Sequence, residues 1–342
     1  MNDRPGTYHA YRAIMLKETK MAKKSVMTVT GPVGTDELGS VLMHEHLSAS
    51  SMGVATHYPQ LYVDGYKERM IKDMKDAKAG GISTLVEATP VCLGRDVRLM
   101  KEVSEASGMN IIATSGWWGN EPPYLGPITP ERLARCFIDD IRIGCDGTDI
   151  KAGILKAAMD KPGPTEWKKV THRAVGMANV ETGVKIILHT YCPTETPRHQ
   201  LALLKEVGVD MNDVAVDHIP ETTDLDFVKW IYDQGAWLGI DRLPNLLMPG
   251  EYAVAMDTRI KFIKVMLDAG MGDRMLFSHD ISSCSTLFDF QPPEVLKMHA
   301  DMVPDRFLYL KKHIFPKLGE MGVDTDMLWN MTIENPRRFF EG

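Results

Sequence analysis

No stretch of the 342-residue chain stays apolar for the ~18 residues that a membrane-spanning helix needs. What remains is an ordinary globular balance, 44% hydrophobic and 25% charged. Cysteine is sparse: Cys92, Cys136, Cys145, Cys192 and Cys284 are scattered, odd in number and without CxxC spacing. Such a set argues against a disulfide framework and for a reducing, cytoplasmic setting. A basic stripe is also missing. The net charge is −7 with both signs mixed along the chain, which removes the electrostatic footprint of nucleic-acid binding. Neither a GxGxxG nor a Walker sequence occurs, so the glycine-rich cradles for nucleotide phosphates are absent. Low-complexity tracts and short repeats are lacking too.

Methionine, by contrast, is abundant, with 23 residues that read as adaptable core filler. The first residues, 1–27, are polar and charged and read as a loose N-terminal extension without the apolar core of a secretory signal. Met21 is an alternative start to Met1. From residue 28 to 342, short β-rich runs alternate with amphipathic segments. The strands are expected at Ser40–His46, Ser83–Thr89, Asn110–Ser115, Ala152–Ala158, Val184–Thr190, Val214–His218, Ala236–Asp241 and Arg274–Asp280. Helical periodicity marks Tyr66–Lys78, Arg95–Ala106, Pro130–Ile143, Glu166–Thr182 and Arg259–Ala269. Eight alternations without a composition break predict a single α/β domain, a (β/α)8 TIM barrel, with a doubly wound open sheet as the alternative.

Active sites of this fold gather at the C-terminal ends of the strands. Read in order, those ends carry His44 and His46, Glu87, Ser115, Lys156, His189, His218, Asp241 and Asp280. His44 and His46 are two apart in one strand and so share a face. Neutral imidazole and carboxylate suit zinc, manganese, cobalt or iron. His44, His46 and Asp280 would build one site, His189 and His218 another. Two cations so close need an anionic bridge. Lys156 supplies it only after carboxylation, since its ammonium repels metal, and a hydroxide would complete the bridge and attack the substrate.

The chain resembles the phosphotriesterase family of the amidohydrolase superfamily. The resemblance rests on Gly31-Pro-Val-Gly, Leu42-Met-His-Glu-His-Leu, Leu93-Gly-Arg-Asp and Lys151-Ala-Gly-Ile-Leu-Lys156. It continues through Ile187-Leu-His-Thr, Asp217-His218, Gly239-Ile-Asp-Arg242-Leu-Pro, Phe277-Ser-His-Asp280 and Glu334-Asn-Pro-Arg-Arg-Phe-Phe. It implies a binuclear metal centre, zinc first among the candidates, bridged by carboxylated Lys156. It also implies Asp280 as both ligand and first acceptor of the nucleophile's proton, and a homodimer, as related proteins often are. Glu221 stands where the family usually has an aspartate that passes the proton on.

Family membership does not name the substrate. Ser278-His279-Asp280 resembles the lactonase branch, whereas Trp118 resembles the tryptophan of phosphotriesterases proper; Arg242 fits both. A lactone or carboxylic ester is therefore the expected small-molecule substrate and an aryl phosphotriester the alternative. A catalytically silent metal- or ligand-binding barrel is the remote third reading. Trp118, Tyr191 and Arg242 are expected in the substrate pocket, and so is the apolar run Leu287-Phe-Asp-Phe-Gln-Pro-Pro. Ordinary roles compete elsewhere. Glu87 is either a partner that orients a ligand histidine or a salt-bridge residue. Trp117 reads as rim packing, and Asp241 either supports a ligand or holds Arg242. His9, His57, His172, His199, His299 and His313 read as core or surface histidines.

Overall fold

The computed structural model describes residues 24–119, 121–122, 127–161, 163–243, 254–286 and 293–342, with the side chains of 293, 295, 296 and 299 excepted. The expected extension, up to residue 23, and residues 287–292 of the expected apolar pocket run lie outside the described residues. A small antiparallel hairpin comes first, β1 (Ser25–Thr28) with β2 (Gly31–Gly34). It takes residues 25–27 out of the stretch assigned to the extension.

The central sheet is parallel and nine-stranded. Its strands are β3 (Ser40–Ala49), β4 (Ile82–Glu87), β5 (Asn110–Trp117), β6 (Ile154–Ala158), β7 (Ile186–His189), β8 (Val214–Val216), β9 (Trp237–Ile240), β10 (Met275–Phe277) and β11 (Ser282–Ser285). Each strand from β3 to β10 pairs with the next in sequence except across the β10–β3 seam. There β10 pairs with β9, and β11, four residues later in the chain, pairs with β3. The expected eighth strand, Arg274–Asp280, is shorter than read, and a further short strand, β11, follows it; together the two close the sheet into an α/β TIM barrel.

Helices with one apolar face cover the outside: α1 (Tyr66–Ala79), α2 (Val97–Ser107), α3 (Pro130–Arg142), α4 (Glu166–Thr182), α5 (Thr196–Glu206), α6 (Leu225–Asp233) and α7 (Met256–Asp268). Their starts follow local chemistry. Asp96, Thr129, Thr165 and Asp224 each cap a helix by accepting a first-turn N–H. Between helices and barrel lies the larger core, including Leu85, Ile111, Leu155, Leu188 and Phe277. Inside the barrel lies the smaller one, built from Val41, Met43, Val86, Ile112, Ile154, Ile187, Ala215, Trp237 and Leu276. The two lists alternate along each strand, as a period of two requires. No helix among the described residues is long and apolar enough to cross a membrane.

One strand breaks the alternation, and it carries the histidine pair. Val41 and Met43 face the barrel interior, so strict alternation would aim Glu45 inward and both histidines outward. The β3–β4 register instead slips between Leu42 and Glu45, where three steps on β3 match two on β4. This bulge turns His44 and His46 into the barrel mouth and Glu45 out of it. Glu45 then meets strand eight at its break. Its carboxylate accepts from Ser278 Oγ (2.7 Å), His279 N (2.7 Å), His279 Nδ1 (2.6 Å) and Ile281 N (3.1 Å). This fully buried carboxylate joins backbone bonds across the same seam, Asp280 N to the carbonyl of His44 (3.1 Å) and His46 N to that of Ile281 (2.9 Å), in closing the barrel and placing Asp280.

Replacing Glu45 by Ala strands those donors in the interior. We expect a loss of about 3 kcal/mol in stability, read as a lower denaturation midpoint, with Glu45→Gln recovering part of it.

Candidate metal centre and active site

The upper end of the barrel collects the side chains that the strand-end pattern picked out. His44, on β3, points Nδ1 at Asp217 Oδ2 (2.8 Å) and Nε2 at Lys156 Nζ (3.0 Å) and Asp280 Oδ1 (3.6 Å). His46 places Nε2 3.2 Å from the same Asp280 oxygen. Lys156 rises from the middle of β6 rather than its end, 1% exposed, with Nζ also 2.8 Å from the carbonyl of Ala88. His189 closes β7, and His218 follows β8. His218 Nδ1 meets Asp241 Oδ1 at 2.7 Å, while Nε2 faces His189 Nδ1 at 2.9 Å.

Hydrogen bonds behind the rings assign the protons. Asp241 Oδ1 accepts from both the N–H and Nδ1 of His218, so His218 carries its proton on Nδ1 and turns the Nε2 lone pair inward. His189 Nε2 lies 3.2 Å from the Asp160 carboxylate, which places its proton there and leaves Nδ1 as the acceptor. Two lone pairs therefore confront each other across 2.9 Å. Burial drives both rings toward the neutral form, His189 to about 4 and His218 well below its ordinary value. Two ring nitrogens this close, both turned inward, are placed to serve one divalent cation.

The donor set nearby is equally suited. Ligand atoms of His44, His46 and Asp280 lie within 4.8 Å of one another, as do those of His44, His218 and Asp241. Burial opposes the Asp280 charge, but His44, His46 and Arg242 hold its pKa well below the usual carboxylate range. Asp217 and Asp241 are pushed up, chiefly by burial, and Asp280 adds to this in both. An acid-rich, imidazole-rich pocket of this kind fits divalent cations.

Three of the residues lie where only strained backbone could put them. His218 (φ 66°), Arg242 (φ 52°) and Asp280 (φ 58°) are all left-handed and none is glycine. Each follows its strand by one or two residues or sits at the strand-eight break, and the kink turns the side chain over the mouth. Glycine serves the same end from below: a Cβ on Gly239 would lie 2.3 Å from Asp217 Oδ1, so its absence gives Asp217 its place behind His44.

Arg242 joins the two acids that the sequence assigned to proton transfer. Its Nε donates to Asp280 Oδ2 (2.8 Å) and its Nη1 to Glu221 Oε1. Glu221 is thus linked to Asp280 through the Arg242 guanidinium. Burial lifts the Glu221 carboxyl to about 7, against the pull of Arg242.

A model of the phosphotriesterase family matches residues 24–340. The chain belongs to the phosphotriesterase family. The phosphotriesterase homology protein of Mycobacterium tuberculosis is 33% identical over 327 residues, covering 92% of this chain and 97% of its own. The aryldialkylphosphatase of Saccharolobus solfataricus is 31% identical over 312 residues, 90% of this chain and 96% of its own. More distant, at 25% over 354 residues, is the N-acetyltaurine hydrolase of Xenopus tropicalis, covering 92% of this chain and 97% of its own.

Within this family frame, some expected residues move. Ser115 turns away from the mouth and donates to Asp140 of α3 (2.6 Å), because it lies on the outward phase of β5. Trp117 shares that phase and packs edge-on against Trp167 (5.5 Å between centroids). Trp118 instead meets the His189 ring, at 5.6 Å, and Tyr191 is buried beneath the Lys161 ammonium (4.5 Å). Asp241 supports His218. His172 is a buried, hydrogen-bonded core histidine.

Glu87 resolves in favour of orientation. Its carboxylate accepts from Thr89 Oγ1 (2.7 Å), which in turn meets His46 Nδ1 (2.7 Å). The hydroxyl has one hydrogen, given to Glu87, so His46 Nδ1 donates and Nε2 turns toward Asp280. Thr89, read as the end of its strand, and Asp160 each stand two residues beyond the strand observed, where no period applies, and neither was picked out. Asp217 was visible only as the neighbour of His218. We expect Thr89→Val to weaken divalent-metal affinity by about 10–100-fold, measured by competition with a chelator, while the fold persists.

Proposed function

We propose that this protein is a metal-dependent hydrolase of ester-type bonds whose preferred substrate is a lactone or carboxylic ester. The observation that carries the reading is the convergence of four imidazoles, Lys156 and Asp280 on one small volume, with inward lone pairs on the rings. His44, His46 and Asp280 would hold one divalent ion and His189 and His218 the other, zinc first and manganese, cobalt or iron as alternatives. Lys156, carboxylated, would serve both. Burial lowers its pKa and so favours the neutral amine, the form that adds to CO2. Two such ions would supply Lewis acidity toward the carbonyl and lower the pKa of water.

The chain's own residues do the rest. Asp280 takes the proton of the attacking water and returns it to the alkoxide that leaves. Its left-handed backbone and the bond from Arg242 Nε fix the carboxylate for that transfer. With His44 and His46, Arg242 keeps Asp280 ionised in the resting site. Glu221, near 7 and bound to the same guanidinium, balances that charge. A guanidinium does not give up its proton in this range, so Glu221 sets the field at Asp280 rather than relaying through Arg242. Trp118 and Tyr191 wall the approach to His189.

A second reading, hydrolysis of aryl phosphotriesters, is favoured by Trp118 against His189 and agrees with the name of the Saccharolobus relative. The two separate on a panel of aliphatic lactones and aryl phosphotriesters with metal-reconstituted protein. Lactone kcat/KM is expected to exceed triester kcat/KM; the reverse order transfers the assignment to triesters. Asp280→Asn is expected to lower kcat by about 100- to 10,000-fold with the second ion still bound. Wild-type turnover in a metal-loaded Asp280→Asn protein would refute the proton-transfer role.

A further inference from the structure

The peptide that carries Trp118 is gripped from both sides by residues with no part in the metal centre. Cys92, in the loop after β4, accepts through Sγ from the N–H of Trp118 (3.1 Å) and of Gly119 (3.4 Å). Lys168, on the first turn of α4, donates through Nζ to the carbonyls of Trp118 (2.5 Å) and Gly119 (3.2 Å). Both N–H groups and both carbonyls of this dipeptide are therefore engaged. Lys168 is only 9% exposed. A buried lysine is costly unless its charge is used, and the two carbonyls are where this one is used.

The grip extends to His189. The carbonyl of Lys168 accepts from His172 Nδ1 (2.6 Å), and His172 Nε2 meets Gln200 Nε2 (3.0 Å). Gln200 Nε2 also donates to the carbonyl of His189 (3.1 Å). Burial holds His172 neutral, near 4, so it can donate at Nδ1 and accept at Nε2. A continuous polar brace thus runs behind the barrel from the Trp118 backbone to the His189 backbone. In front of it the two rings touch edge to face. The brace leaves the distance from the indole to the metal-site imidazole little room to vary.

We propose that Cys92 and Lys168 are positioning residues for substrate selectivity: they fix the Trp118 wall and thereby the size of acyl or phosphoryl group admitted beside His189. Neither touches the reacting atoms. The proposal rests on the hydrolase reading above for its substrates, but not for its structural content.

The test uses metal-reconstituted, full-length protein carrying Lys168→Met, Cys92→Val or, as the conservative variant, Cys92→Ser, which keeps an acceptor. The ratio of kcat/KM for an aryl dialkyl phosphotriester to that for an aliphatic lactone is measured in each. We expect Lys168→Met and Cys92→Val to shift the ratio by about fivefold or more, mainly through KM. Cys92→Ser should restore it. In a Trp118→Ala background the same substitutions should leave the ratio unchanged, because the residue they position is gone. A ratio that stays constant, or a shift that survives in Trp118→Ala, overturns the proposal. Acrylamide quenching of the fluorescence that Trp118→Phe removes gives a readout independent of turnover. Greater quenching in Lys168→Met and Cys92→Val supports the proposal; equal quenching in all variants refutes it. A protein that hydrolyses nothing would defeat the hydrolase reading and leave the quenching to decide this one.

Discussion

The Glu45 carboxylate is the constraint on which the barrel mouth depends. It sits between the two histidines in sequence and on the opposite side of the strand from both. Its bonds to Ser278, His279 and Ile281 tie the first barrel strand to the break in the last. Without the bulge before it, Glu45 would lie in the mouth and the histidines among the helices. With the bulge, one side chain reinforces the β3–β11 pairing while its neighbours turn inward. The remaining barrel strands follow ordinary alternation, so the local exception defines the site. A buried carboxylate repays its desolvation only when its lone pairs are filled, and here strand eight fills them.

A second constraint is charge. Asp217, Asp241, Asp280 and Glu221 are all buried or nearly so, against Lys156 and Arg242. Burial first, and the neighbouring Asp280 carboxylate with it, push the pKa of Asp217 and Asp241 up. The two imidazole lone pairs at 2.9 Å add to the deficit of positive charge. The backbone is strained at the same points, with His218, Arg242 and Asp280 left-handed. Strain of that kind persists where surrounding structure over-determines it. Asp241 for His218, Glu221 for Arg242 and the Glu45 contacts around Asp280 provide that support.

Periodicity made most of the barrel legible. The eight expected strands match β3 to β10, and α4 matches residue for residue at Glu166–Thr182. The residues read at strand ends, His44, His46, His189, His218 and Asp280, lie together with Lys156, which rises from the middle of its strand. The strand-end rule failed where pleat and position diverge. Ser115 ends an apolar run but lies on the outward phase, and strand eight, read as Arg274–Asp280, stops at Phe277, with the short β11 after it unread. A bulge leaves no mark in composition, so the real reason that His44 and His46 face inward is not in the HxH spacing alone. Thr89, Asp160, Cys92 and Lys168 act through hydrogen bonds made across elements, which no single-segment pattern encodes. Lys168 and His172 are four apart on α4, and that spacing marks a shared buried face without saying what it meets.

The division of labour follows from where each group is attached. Metal-competent residues rise from strands or from kinks immediately after them, and strands register against their neighbours through the whole sheet. Their geometry is therefore tied to the stability of the barrel. Trp118 and Tyr191 stand beyond the strand ends, on backbone that no sheet pairing holds. Such backbone keeps a defined place only if side chains from elsewhere capture its N–H and carbonyl groups. At Trp118 both kinds are captured; at Tyr191 the Thr196 hydroxyl takes the N–H (2.7 Å). A change in one such anchor would alter the proposed pocket wall and leave the proposed ligand set intact. Family members that share a metal centre yet act on different bonds need this kind of separation.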